Sequence, residues 1–301
     1  ENSMQTSDRQ NQQLKIAARG ALVGIVVYLI ISSLKLGAAY FFHSASLRAD
    51  GLNNLTDIIS SILIFIGLRI ARKPADEDHY FGHSKFEPLA SFATSLIMFT
   101  VGLEVIKSSA ERFIAQDYPT PDLQALWVGL AASVILLVTQ RYIHYLAQQT
   151  QSMGLKASAK DLFSDFLTTL ATMVAIAASS LGLAWLDILT ALIIGAIILH
   201  TAYTIFKDST FELSDGFDQE ELEAYRAIVL KHPQIRAVPQ IRARLCGQYV
   251  HVDISVLIDG HLSVIQSHHI TEEIEQILAY NYNVYDVDVH VEPYFQTNLN
   301  Q

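Results

Sequence analysis

The chain of 301 residues is 51% hydrophobic and only 17% charged, too apolar for an ordinary soluble domain of this size, so a membrane protein is expected. A formal net charge of -10 excludes a nucleic-acid binder, which needs clustered Lys and Arg, and suits a handler of cations. The single cysteine, Cys246, excludes an internal disulfide and any metal site built from several thiolates, which leaves a buried thiol as its expected state.

A hydrocarbon core about 30 Å thick requires roughly 20 mostly apolar residues per helix. Segments 17–42, 48–70, 88–110, 123–147, 158–181 and 187–206 meet that requirement and predict an all-α bundle of six transmembrane helices within residues 1–207. The first is long enough to stay in the membrane, so no cleaved leader is expected. Residues 208–301 are polar. Alternating runs at 249–259 and 284–292, with helix-like segments at 219–231 and 263–279, predict a small α+β domain.

Basic residues set the orientation. Arg9, Lys15 and Arg19 precede the first span; Arg69, Arg72, Lys73 and Lys85 follow the second; Arg141, Lys156 and Lys160 follow the fourth. The opposite side carries Lys107 and Arg112 only. The positive-inside rule therefore puts both termini and the tail in the cytoplasm.

An ionisable residue deep in an apolar span costs at least about 2.5–3.5 kcal/mol on insertion scales, which makes it a functional candidate. The second span carries Asn53 and Asp57, and the fifth carries Asp161 and Asp165, each pair four residues apart and so on one helix face. Singly, each has an ordinary reading as a helix-end or interhelical polar group. Together they offer four oxygen-bearing side chains that close around one ion if the helices meet. Oxygen-only donors suit Mg²⁺, Mn²⁺ or Ca²⁺, whereas zinc more often recruits His or Cys. Clustered carboxylates also compete for protons, which would couple metal release to proton uptake and make the chain an antiporter, not an enzyme. Two readings from other classes use the same residues: an intramembrane aspartyl hydrolase with Asp57 and Asp165 as its dyad, and a passive divalent-cation channel. Among the remaining polar residues, Glu104 is expected to pair with Lys107, and Asp187 to be a first-turn helix acid.

With Asn53-x-x-x-Asp57, the loop from Pro74 to Pro88, Asp161-x-x-x-Asp165 and a short polar tail in place, the chain resembles the cation diffusion facilitator family of metal/proton antiporters. The resemblance implies six transmembrane helices, an αββαβ metallochaperone-like cytoplasmic domain with a further strand at 237–244, and a homodimer in the bacterial inner membrane. The Asn/Asp plus Asp/Asp set resembles the manganese-exporting branch. Fe²⁺, Zn²⁺ and Cd²⁺ remain alternative substrates. The resemblance further implies a second metal site in the loop at Asp76, His79 and His83, and a charge pair of Lys85 with Asp215 that locks or hinges the dimer. It also implies a metal site between the two tails of the dimer at His268, His290 and Glu292, although two histidine positions of zinc-type members are Pro239 and Ser255 here. In that tail Asp286, Asp288, His290 and Glu292 alternate with valines and are expected to share one strand face.

Overall fold

A computed structural model describes residues 2–71, 73–80, 82–150, 153–246, 249–282 and 284–295. The buried state expected of Cys246 concerns a side chain outside those described. Six long helices come first: α1 (Asn2–Phe42), α2 (Ala45–Ala71), α3 (Phe86–Ile114), α4 (Ala125–Thr150), α5 (Met153–Ser180) and α6 (Trp185–Leu213). Each contains a stretch long and apolar enough to cross a membrane, from Leu22–Phe42 in α1 to Trp185–Leu213 in α6. α1 starts well before the expected span and α6 runs past Lys207, since helix continues where hydropathy has already fallen. Then follow α7 (Gln219–Val229), β1 (Ala237–Cys246), β2 (Tyr249–Asp259), α8 (Val264–Tyr282) and β3 (Asp286–Tyr294), the anticipated αββαβ order.

The chain divides into two compact units, one of Glu1–Leu63 with Ala93–Ile205, the other of Ile64–Phe92 with Phe206–Gln301. In the first, small residues let backbones approach. A Cβ on Gly102 would lie 2.7 Å from Leu199 of α6, and one on Gly195 of α6 would lie 2.9 Å from Ile106 of α3, so the two helices seat large residues over each other's glycines. Gly129 of α4 makes the same approach to Met173 of α5.

Asp187 is buried and does more than begin α6. It accepts hydrogen bonds from the Ser44 hydroxyl (2.8 Å), the Ala45 N–H (2.6 Å) and both the N–H and hydroxyl of Ser46. These are donors at the N-terminus of α2, which a buried helix end cannot leave unpaired. A carboxylate there also opposes the positive end of the helix dipole.

In the second unit β1 pairs antiparallel with β2, and β2 pairs parallel with β3 across the α8 crossover. Val252, Ile254, Val256 and Ile258 of β2 pack with Val287, Val289 and Val291 of β3 against Tyr225, Val229, Ile270, Ile274 and Leu278 of the two helices. Both helices therefore cover one sheet face. The Asp218 carboxylate caps α7 by accepting from the Glu220 and Glu221 N–H groups (2.9 and 3.0 Å). Ser263 and Gln266 cap α8 reciprocally: the Gln266 side chain accepts from the Ser263 N–H at 2.9 Å and the Ser263 hydroxyl from the Gln266 N–H at 3.3 Å.

Replacing Asp187 with Leu should destabilise the protein by at least about 1–2 kcal/mol through loss of the α2 cap. Asp187→Asn, which keeps an acceptor, should lose less. Thermal unfolding in detergent of the two variants beside the parent measures the difference.

Candidate metal centres

The intramembrane candidates lie on facing helices. Asn53 of α2 donates from Nδ2 to Asp165 Oδ1 of α5 at 3.2 Å, and Tyr28 of α1 donates its hydroxyl to Asp165 Oδ2 at 2.6 Å. Both oxygens of a buried carboxylate are thereby satisfied by neutral donors, as burial in a medium of low dielectric demands. Asp57 lies within electrostatic reach of Asp165 and Asp161. The three carboxylates are nonetheless not drawn within 4.8 Å of one another, which accords with the repulsion of like charges. Exposure falls along the site: Asp161 is exposed, Asn53 and Asp57 are half-buried, and Asp165 is buried.

Sequence reading missed the groups next to this site. Lys35 of α1 is fully buried, with its Nζ 2.9 Å from Asp50 Oδ2 and donating to Asn54 Oδ1 and Thr169 Oγ1, each at 2.7 Å. Thr169 in turn donates to the Asp165 carbonyl at 2.8 Å. The signal was present, a Lys within the first apolar span and an Asp one helical turn before Asn54, but no four-residue motif links them. Tyr28 gave no signal, because an aromatic residue in a membrane helix is unexceptional.

The loop between α2 and α3 gathers its candidates closely. Ligand atoms of Asp76, His79 and His83 all lie within 4.8 Å of one another. His79 Nδ1 is 3.2 Å from Asp76 Oδ1, and His83 Nε2 is 3.3 Å from Asp76 Oδ2. The turn that makes this possible has the Asp76 carboxylate accepting from the His79 and Asp78 N–H groups (2.8 and 3.1 Å), and Gly82 in the left-handed region (φ 77°) closing back on the His79 carbonyl at 3.0 Å. His83 is buried, and its Nδ1 lies 3.2 Å from the Pro74 carbonyl. Donation from Nδ1 to that carbonyl leaves Nε2, which faces Asp76, as the ring nitrogen that a metal would take. Desolvation alone would raise the Asp76 carboxyl, but hydrogen bonds from the His79 backbone and ring and the Asp78 N–H outweigh it and hold the group below the usual carboxylate range. The stabilisation is thus present above the ordinary carboxylate pKa and lost as pH falls through the lowered value.

Lys85 Nζ meets Asp215 Oδ1 at 2.5 Å, the pairing the sequence suggested. Local structure aims the acid: α6 ends with Asp215 at φ 59°, and the Gly216 N–H bonds the Phe211 carbonyl at 2.8 Å. A Cβ on Gly216 would meet the Phe211 ring at 2.5 Å, so a larger residue there would displace that ring.

The tail residues are placed differently. Asp286, Asp288, His290 and Glu292 share the sheet face opposite the valines, hence opposite α7 and α8. His268 lies exposed on α8, 3.6 Å from Glu272. One chain therefore does not bring His268, His290 and Glu292 together. The helix period and the strand period were each read correctly, but neither says which sheet face the helix covers. Glu104 is also corrected: it lies 3.6 Å from Arg48 of α2, a stronger competitor than the expected Lys107 because Arg presents a forked donor.

Six apolar helices with oxygen donors on facing helices, followed by an αββαβ tail, define a multi-pass membrane transporter of metal cations. The chain belongs to the cation diffusion facilitator family: the cation efflux transmembrane domain matches residues 21–214, and the cytoplasmic domain of cation efflux proteins matches residues 217–294. It is 42% identical to the manganese efflux system protein MneS of Bacillus subtilis (strain 168) over 281 residues, 93% of this chain and 97% of the relative. It is 38% identical to the uncharacterized transporter YdbO of the same organism, over 94% of this chain and 98% of that one. The cation-efflux pump FieF of Cronobacter sakazakii is 28% identical over 93% of each chain.

If the loop cluster is a metal site, a chain carrying Asp57→Ala and Asp165→Ala should still bind a divalent ion. Adding His83→Ala should weaken that binding by at least about tenfold. Calorimetric titration of the purified variants with Mn²⁺ and Zn²⁺ checks both.

Proposed function

We propose that the protein exports Mn²⁺ from the cytoplasm in exchange for protons, with Asn53, Asp57, Asp161 and Asp165 as the transport site. The observation that carries the reading is the Asn53–Asp165 contact at 3.2 Å, which joins the two motifs across α2 and α5. Four oxygen-bearing side chains, three of them carboxylates, suit a hard cation. The 42% identity to the manganese efflux system protein MneS supports the same ion. Metal and protons compete for these carboxylates, so loading expels protons and protonation expels metal. An acidic compartment on the far side then drives release, and the inside-negative membrane potential aids export only if more than two protons enter for each Mn²⁺ that leaves.

The reading places residues 1–207 in the bacterial inner membrane and 208–301 in the cytoplasm with both termini, following the distribution of Lys and Arg. It makes the protein a homodimer. The loop cluster of Asp76, His79 and His83 holds a second ion that orders the loop, and the Lys85–Asp215 pair acts as a hinge. Tail binding through His268, His290 and Glu292 is confined to an interface between two tails, since one tail holds these residues on different faces.

Proteoliposomes test the proposal. Mn²⁺ flux should accelerate when the receiving side is made acidic, and should fall by at least about tenfold in Asp57→Ala and in Asp165→Ala. Flux indifferent to the pH gradient would refute proton exchange. In a competition assay among Mn²⁺, Fe²⁺, Zn²⁺ and Cd²⁺, Asn53→Asp and Asp161→His should each shift preference towards Zn²⁺ or Cd²⁺, the first by adding charge and the second by adding nitrogen.

A further inference from the structure

We infer that the Lys35–Asp50 ion pair is the gate that closes the transport route towards the α1–α2 connection. The inference rests on the transport site proposed above and asks which part of the protein must open for the ion to leave it.

Position is the first argument. On α5 the order from the Met153 end is Asp161, Asp165, Thr169, Thr172; on α2 the order from the Ala45 end is Asp50, Asn54, Asp57. Lys35 touches Thr169, Asn54 and Asp50. It therefore sits one turn beyond Asp165, on the side away from Asp161.

Burial is the second. Asp161 is exposed and Asn53 and Asp57 half-buried, whereas Lys35 and Asp50 are both fully buried, with 0% exposure of each side chain. The site is thus reached from the Asp161 end and sealed at the Lys35 end. The seal is built from a single ammonium that ties α1, α2 and α5 together, with the Ser32 hydroxyl adding a bond to the Gly51 carbonyl at 3.0 Å.

Chemistry is the third. A purely structural seal in a membrane bundle needs only apolar packing, and a buried ion pair brings no advantage in stability over apolar residues of similar size. An ion pair does bring a contact that can be exchanged for hydration. The lining next to it is polar: Asp50 Oδ1 beside the pair and Thr172 Oγ1 past Thr169 on α5 are buried and have no hydrogen-bond partner among the described residues. These two oxygens extend the polar file past Thr169, where a hydrated ion would pass once the pair parts. Lys35 also lies close to the site, since Thr169, which accepts from its ammonium, stands one helical turn from Asp165 on α5.

Side-specific labelling tests the gate. In the full chain, with Cys246→Ser removing the natural thiol, Thr172→Cys reports access to the file. A membrane-impermeant maleimide applied to sealed vesicles from the face of the α1–α2 connection should label it slowly. Lys35→Met and Asp50→Asn should each raise that rate by about tenfold or more and leave labelling from the opposite face unchanged. If Lys35→Met does not fold, Asp50→Asn carries the test, because it keeps the size and an acceptor for Lys35 while removing the charge. Unchanged labelling in a folded variant, or fast labelling already in Thr172→Cys alone, would overturn the inference. A pair that only stabilises the fold would alter labelling equally from both faces. Labelling needs no metal flux, so the gate can fail while the transport site survives. Mn²⁺ titration of the same preparations reports on the site separately.

Discussion

The structure of the membrane unit depends on the cost of keeping a carboxylate in a medium of low dielectric. Asp165 is buried, and an isolated charge there would be expensive. Its two oxygens are met by a hydroxyl from α1 and an amide from α2, so the residue proposed to draw a cation also ties three helices together. Both donors are neutral. A positively charged partner in direct contact would compete with the metal for the same oxygens, whereas Tyr28 and Asn53 satisfy the carboxylate without cancelling its charge. The buried ammonium of Lys35 is held one turn away, on Asp50, where it can balance the acidic site without occupying it.

A different economy governs the second unit. Around Asp76 the chain makes a tight turn whose backbone N–H groups point at one carboxylate, and two imidazoles then converge on it. Nitrogen enters here, whereas the candidates in the membrane helices offer only oxygen. The two proposed sites thus differ in hardness as well as in surroundings, and one ion need not suit both. The tail carries a core of its own, with α7 and α8 on one face of the sheet. The other face is lined along β3 with Asp286, Asp288, His290 and Glu292.

Much of this was legible in the residues. Apolar length marks the six spans, and alternation marks β2 and β3, because lipid and a one-sided core impose those patterns directly. Asn53 and Asp165 could be joined in advance because the same four-residue spacing recurs in two spans. Lys35, Asp50 and Tyr28 could not be, since a lone polar residue in an apolar helix declares a cost but not its partner. Asp187 was recognised as an acid in the first turn of α6, yet its role lies at the start of α2, which only tertiary structure brings near. In the tail, helix and strand periods give the face of each element but not the side of the sheet on which a crossover helix lands, so the separation of His268 from His290 and Glu292 within one tail shows only in the structure.

The Asp187 cap bears on how α2 can move. Four hydrogen bonds fasten the first turn of this helix to the first turn of α6, while its middle is held to α1 and α5 by the contacts of Lys35 and Asn53. Two of the four cap bonds come from backbone N–H groups, which a buried helix end must keep paired, whereas the other ties are side-chain contacts that can be exchanged one at a time. A rod pinned at its tip and loosened along its length would swing instead of sliding, with Ser44 at the pivot and Asn53 and Asp57 on an arc that widens with distance from that point.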